Sequence, residues 1–370
     1  MKQVDLLIIG AGPAGLSTAL HLLADDPGWG ERMAIIEKEA HPRDKLCAGG
    51  LTPLGIKVLQ GLGLPHPLPL KQATVDTAHF HYGERAFRVA GKPRFLVFHR
   101  PALDAYLART ASRQGVSIRE RETAQHLDFR SDGVRVITNR DSYAAKAVVG
   151  ADGSLGLTRR LLSNGRDFPR VARAMEALVP VAADSPFFTR RYASFDFGAV
   201  KENLQGYLWT FPSYVDGVPH LNCGVYDARI AVARPRADLV RLFGQLLADQ
   251  GVDLKDVPLK AHPVHWFSPA NTFARSRLLV VGDAAGADPL FGEGIGPALA
   301  YGKVAARTLV DAFQCGDFSF ENYRSHLRVS RVGRYLMLRW ILAKLIYQLG
   351  GEAWFAHGFW TLAQLVAAVW

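Results

Sequence analysis

The chain has 370 residues, 49% of them apolar and 21% charged, a balance that excludes a disordered or fibrous protein and exceeds one typical core, so two lobes are expected. Its three cysteines, Cys47, Cys223 and Cys315, are odd in number, far apart and without metal-ligand spacing, which excludes a disulfide framework and a metal site and points to a reduced, cytoplasmic compartment. A net charge of +10 raises nucleic acid as a partner, but no recognition motif accompanies it and none is expected to bind.

The chain begins with a continuous apolar run, Val4 to Gly10, of the length a buried parallel strand needs. It is too short for a signal peptide, and none is expected. Gly10-Ala11-Gly12-Pro13-Ala14-Gly15 follows, then Leu16, Ala19, Leu20 and Leu23 at helical spacing. In this order the first glycine permits a tight turn, the second lets backbone N–H groups approach a pyrophosphate, and the third lets the helix pack on the strand. A second apolar run, Met33 to Ile36, ends at Glu37, about 20 residues on, where the ribose hydroxyls of a dinucleotide are held.

A breaker-rich loop, Pro42 to Gly50, carries Cys47-Ala48-Gly49-Gly50, whose glycines let backbone approach a flat ring. Cys47 reads either as inert filler or as a functional thiol. Helical spacing covers Leu51 to Leu62, and alternation from Thr74 to Val97 about Gly83-Glu84 predicts a hairpin from a second lobe. Arg100 begins a helix, where it holds a phosphate or ring edge, or else is a surface arginine. Short strands from Val116 to Val148 run into Gly150-Ala151-Asp152-Gly153, and strands dominate from about Phe168 to Trp266, apart from a helix at 238–249. Within them Tyr207, Trp209 and Phe211 alternate, as core packing or as a ligand wall. Leu278 to Gly282 returns to the buried-strand style, ends in Gly282-Asp283, and leads through Gly292-Glu293-Gly294-Ile295 into a helix at 297–313. The tail from Phe320 is helical, basic and rich in aliphatic and aromatic residues, without the ~20-residue apolar run that spans a bilayer. It suits an anionic membrane surface, or is an ordinary helical cap.

The early glycine motif, Gly150-Ala151-Asp152-Gly153 and Gly282-Asp283 together resemble the FAD-dependent oxidoreductases of the para-hydroxybenzoate hydroxylase-like group. Within it, the Pro42–Gly49 loop, Tyr207-x-Trp209-x-Phe211-Pro212 and Gly292-Glu293-Gly294-Ile295 resemble the geranylgeranyl reductase family. The implied fold is α/β: a discontinuous Rossmann-like FAD-binding domain (1–73, 98–165, 270–315), an inserted antiparallel β-sheet substrate domain (74–97, 166–269) and a C-terminal helical segment (316–370). The resemblance implies that Gly10, Gly12, Pro13, Ala14 and Gly15 cradle the pyrophosphate of FAD, Glu37 and Lys38 hold the adenosine ribose, and Ala124 touches the adenine. Asp152 belongs to the cofactor set, Asp283 binds the ribityl or pyrophosphate portion, Arg100, Cys47, Ala48 and Gly49 lie by the flavin, and Gly292, Gly294 and Ile295 offer it backbone. Tyr207, Trp209 and Phe211 line a chamber for an isoprenoid chain.

The implied reaction is reduction of a prenyl lipid's double bond, the hydride coming from reduced FAD and the proton from Cys47, Tyr207 or a held water. No second glycine fingerprint follows a strand, so electrons are expected from a transient NAD(P)H or a ferredoxin-type carrier. The expected location is the cytoplasm, with the inner face of the membrane as a place of peripheral attachment. A monooxygenase shares the FAD motifs. A halogenase would show W-x-W-x-I-P, where this chain has Tyr207 and Phe211 in place of the first Trp and the Ile. A flavin-supported isomerase or cyclase and a membrane electron carrier complete the alternatives.

Overall fold

A computed structural model describes residues 1–163, 171–350, 355 and 358–364. In chain order, β1 (Lys2–Ile9) turns at Gly10 into α1 (Pro13–Asp25), and the short α2 (Trp29–Arg32) leads to β2 (Met33–Glu37). Next come β3 (Gly50–Leu51), α3 (Pro53–Gly61), the hairpin β4 (Gln72–Tyr82) and β5 (Arg85–Phe98), and α4 (Arg100–Arg113). The first lobe continues through β6 (Ser117–Glu120), β7 (Ala124–Phe129), β8 (Val134–Thr138), β9 (Ser142–Gly150) and α5 (Leu157–Ser163). The second sheet adds β10 (Val171–Pro180), α6 (Pro186–Thr189), β11 (Tyr192–Asp196), β12 (Gly206–Val215), β13 (Val218–Asp227), α7 (Leu239–Ala248) and β14 (Lys260–His265). The chain then returns with β15 (Ala274–Arg275), β16 (Leu278–Val280), α8 (Ile295–Cys315), α9 (Tyr323–Val329) and α10 (Arg331–Leu349). The expected start of the second lobe's strands at Phe168, the domain border at 165/166, and most of the tail beyond residue 350 lie outside the described residues.

The first sheet has a parallel centre, β16-β9-β1-β2-β6, with β15 on one edge and the β7–β8 hairpin joined to β9. Parallel strands are buried on both faces, and here α1 and α8 cover one of them. Their approach is close: a Cβ on Gly302 would lie 2.6 Å from the Thr18 nitrogen, and Ser17 Oγ donates to the Leu299 carbonyl at 2.7 Å.

The second sheet runs β14-β10-β13-β12-β11-β4-β5-β3. It departs from the antiparallel expectation at one pair, β11 with β4, which is parallel. The reason is connectivity: β4 is delivered before the rest of the first lobe and β11 after it, and a crossover that long permits parallel pairing. A second departure lies at residues 50–51. They form β3, antiparallel to β5, so the predicted helix begins only at Pro53 and the loop bearing Cys47 is stitched to the second sheet.

Side chains alternate along β12 as the pleat requires. Tyr207, Trp209 and Phe211 join an aromatic cluster with Tyr226, Tyr347 and Trp360, while Leu208 faces the opposite core with Cys223, Val225 and Phe243 of α7.

Candidate active site

Between the two sheets lies a cavity of about 1210 Å³, above the ~300–1,000 Å³ that a single small ligand commonly occupies. Its lining includes Gly10, Gly12, Pro13, Ala14, Glu37, Lys38, Ala124 and Asp152, together with Cys47, Ala48, Gly49, Arg100, Asp283, Gly292, Gly294 and Ile295. Tyr207, Trp209 and Phe211 line it too while packing in the aromatic core. Gly15 is the one candidate residue outside the lining. Its Cβ would stand 2.1 Å from the Gly10 carbonyl oxygen, so its part is to let α1 sit against the strand turn.

At the glycine turn, Ala11 N–H donates to Glu37 Oε2 at 2.8 Å and Glu39 N–H to Oε1 at 3.1 Å, so the carboxylate fixes the turn as well as facing the cavity. The first turn of α1 has neither a side-chain cap nor an acidic residue, which leaves its N-terminal dipole directed at whatever anion enters. Asp152 turns its carboxylate toward α5, accepting from Thr158 N–H at 2.9 Å and Thr158 Oγ1 at 2.5 Å.

Arg100 is 7% exposed, which removes the surface reading. Its Nε and Nη2 each reach Asp104 at 3.0 Å, and Arg43 Nη2 meets the same carboxylate at 3.0 Å. Burial alone would lower the Arg100 pKa, but Asp104 and Cys47 beside it outweigh that and hold it above its usual range. Nothing in the sequence singled out Asp104 or Arg43, because neither spacing nor composition marks a carboxylate shared by two arginines.

The Cys47 loop is held at three points. Cys47 N–H donates to Glu176 Oε1 at 3.1 Å, Asn222 Nδ2 donates to the Cys47 carbonyl at 3.3 Å, and Phe98 N–H donates to the Gly49 carbonyl at 3.0 Å. Asn222 also accepts from Trp209 Nε1 at 2.8 Å, which ties the thiol loop to the aromatic wall. Gly49 adopts φ +76°, and a Cβ there would lie 2.1 Å from the Phe98 carbonyl oxygen, so only glycine fits. Burial pushes the Glu176 carboxyl up to about 7 against an ordinary 4.5, more than its hydrogen bonds from Cys47 and Asn222 pull it down. Between those two pH values the folded chain keeps a proton that the unfolded chain has released, so stability falls as pH rises through the window, by on the order of 2 kcal/mol. Glu176→Gln is expected to flatten that slope in urea unfolding at pH 5 and pH 7.

The loop between β16 and α8 is gripped from three elements. Tyr207 Oη donates to the Phe291 carbonyl at 2.6 Å, Tyr226 Oη to the Pro289 carbonyl at 3.3 Å, and Tyr347 Oη to the Leu290 carbonyl at 2.6 Å. From α10, Arg331, Tyr335 and Arg339 line the cavity. Tyr335 Oη donates to Glu293 Oε2 at 2.5 Å, Thr52 Oγ1 to Glu293 Oε1 at 2.5 Å, and Arg339 stands 3.6 Å from fully buried Asp288. Within the tail read from sequence as a membrane face or a cap, α10 also walls the cavity. The i, i+4, i+8 spacing of these three residues was the signal available for it.

Comparison with known families matches residues 3–299 to the FAD binding domain. The chain belongs to this FAD-binding family. It is 26% identical to digeranylgeranylglycerophospholipid reductase of Methanosarcina acetivorans, over 87% of this chain and 79% of that one. Among solved structures, a geranylgeranyl bacteriochlorophyll reductase-like protein from Thermoplasma acidophilum superposes with TM-score 0.73 at 21% identity, covering 94% of this chain and 88% of that one. PqsL of P. aeruginosa, in complex with 2-aminobenzoylacetate, gives TM-score 0.71 at 17% identity, covering 95% and 97%.

The residues present fit FAD. The uncapped turn at Gly12 suits a pyrophosphate, and Glu37 and Lys38 stand at the adjoining strand end. Gly294 leaves open approach to the ring side, its nearest neighbour to an added Cβ being Asp283 Oδ1 at 3.6 Å. The protein is an FAD-dependent oxidoreductase.

Proposed function

We propose that this flavoprotein reduces carbon–carbon double bonds of a prenyl lipid of the geranylgeranyl type. The observation that carries the reading is the aromatic wall of the cavity that the glycine turn and the Cys47 loop also line. Phe80, Phe95, Phe195, Tyr207, Trp209, Phe211 and Phe291 all line it, and Phe195 lies within 5.0–5.4 Å of Phe80, Tyr207 and Phe211, centroid to centroid. Such a wall accepts a long hydrocarbon without asking for a hydrogen bond. The prenyl-lipid reductase named among the relatives supports the same substrate class.

Reduced FAD supplies the hydride when bound. The chain's own task is to hold the alkene against it, keep water from a developing positive centre, and give a proton to the other alkene carbon. Tyr207 Oη is engaged with the Phe291 carbonyl, and burial drives its phenol pKa far upward, so releasing its proton would strand a buried charge. It orients. Cys47 Sγ, in the half-buried loop and accepting Gly49 N–H at 3.4 Å, is the proton donor. Electrons reach the flavin from a transient NAD(P)H or a ferredoxin-type carrier.

Anaerobic incubation of dithionite-reduced protein with a geranylgeranyl lipid is expected to give products heavier by two hydrogens per bond reduced. A gain of one oxygen, only in air, would replace this reading with a monooxygenase. Cys47→Ala is expected to keep its flavin yet turn over roughly a hundredfold more slowly, seen as reoxidation of reduced flavin by substrate. Unchanged turnover would return Cys47 to the inert class.

A further inference from the structure

The helix α10 presents two faces to two surroundings. Arg331, Tyr335 and Arg339 line the cavity, whereas Leu338, Ile341 and Leu345, in register on another face, are 56%, 51% and 47% exposed. Val329, ending α9, is 72% exposed. Single exposed aliphatics are ordinary, but a stripe of them along one helix face marks a contact surface. Its surroundings are cationic: Arg328 and Arg334 are exposed and make no ion pair or side-chain hydrogen bond among the described residues, and no Asp or Glu occurs from residue 322 to 349. Among those residues no helix is long and apolar enough to cross a membrane.

We propose that the outward faces of α9 and α10 dock on a bilayer containing anionic lipid, the aliphatic stripe in the acyl boundary and the arginines at the headgroups. Because the same helix walls the cavity, a prenyl chain enters from the lipid phase. A second copy of this chain is a poorer occupant, since two such faces would set the same arginines together without an anion. Membrane docking stands apart from the reductase reading. Only the route of entry rests on it.

Flotation of the flavin-loaded full chain tests the surface. Binding is expected to vesicles of phosphatidylcholine mixed with phosphatidylglycerol, to weaken roughly tenfold or more in high salt, and to be lost in Leu338→Glu/Ile341→Glu, which keeps its yellow flavin. Absence of wild-type binding would overturn the proposal, as would equal binding by the double variant. A dimer that the double variant dissolves, without flotation, would assign the face to a second copy and overturn it as well. Flotation with no reduction of any prenyl lipid would keep the docking surface and remove the reductase reading.

Discussion

Asp104→Asn is expected to lower unfolding stability by about 3–5 kcal/mol, the cost of leaving buried charge uncompensated. The substitution preserves shape and removes only the anion between Arg43 and Arg100, each 3.0 Å away. Those guanidinium side chains are 12% and 8% exposed and Asp104 is fully buried between them, so water replaces the carboxylate poorly. Urea unfolding measures the loss, and weaker FAD retention should accompany it because Arg100 lines the cavity. A loss below about 1 kcal/mol, the range of exposed pairs, would show that the frame is wet.

Gly15→Ala is expected to give a folded but colourless protein, with FAD affinity reduced roughly a hundredfold or more, equivalent to about 3 kcal/mol. The added Cβ meets the Gly10 carbonyl oxygen at 2.1 Å, with the Ala151 Cβ and Ile8 Cγ2 each at 3.1 Å. Backbone and strand cannot yield as a flexible side-chain end would, so α1 must move off the sheet and carry the pyrophosphate turn with it. Gly244→Ala provides the contrast. It sits in α7 with its nearest neighbour 3.9 Å from the new atom, and helix propensity predicts a gain of about 0.5–1 kcal/mol. Flavin titration of the two variants separates a site effect from a general intolerance of glycine replacement.

The nucleotide end was legible because it is written locally: strand, glycine turn and helix adjoin in sequence, and period alone exposes them. The β4–β5 hairpin and the aromatic alternation of β12 were legible for the same reason. What sequence could not show are partnerships made across the chain. Asn222 joins Trp209 to the Cys47 carbonyl, Glu176 holds the Cys47 amide, and Tyr335 meets Glu293 from 42 residues away. Each partner alone is an ordinary strand or helix residue. The parallel β4–β11 pair escaped likewise, since it depends on how the chain returns after a whole lobe.

The loop from Asp288 to Glu293 is fastened by Tyr207 and Tyr226 from the middle of the chain and by Tyr335, Arg339 and Tyr347 from α10. During synthesis on the ribosome, then, the glycine turn and strands β1, β2, β6 and β9 emerge long before that loop has all its fasteners. The wall that this loop gives the cavity therefore stays loose until α10 emerges, and it closes only then.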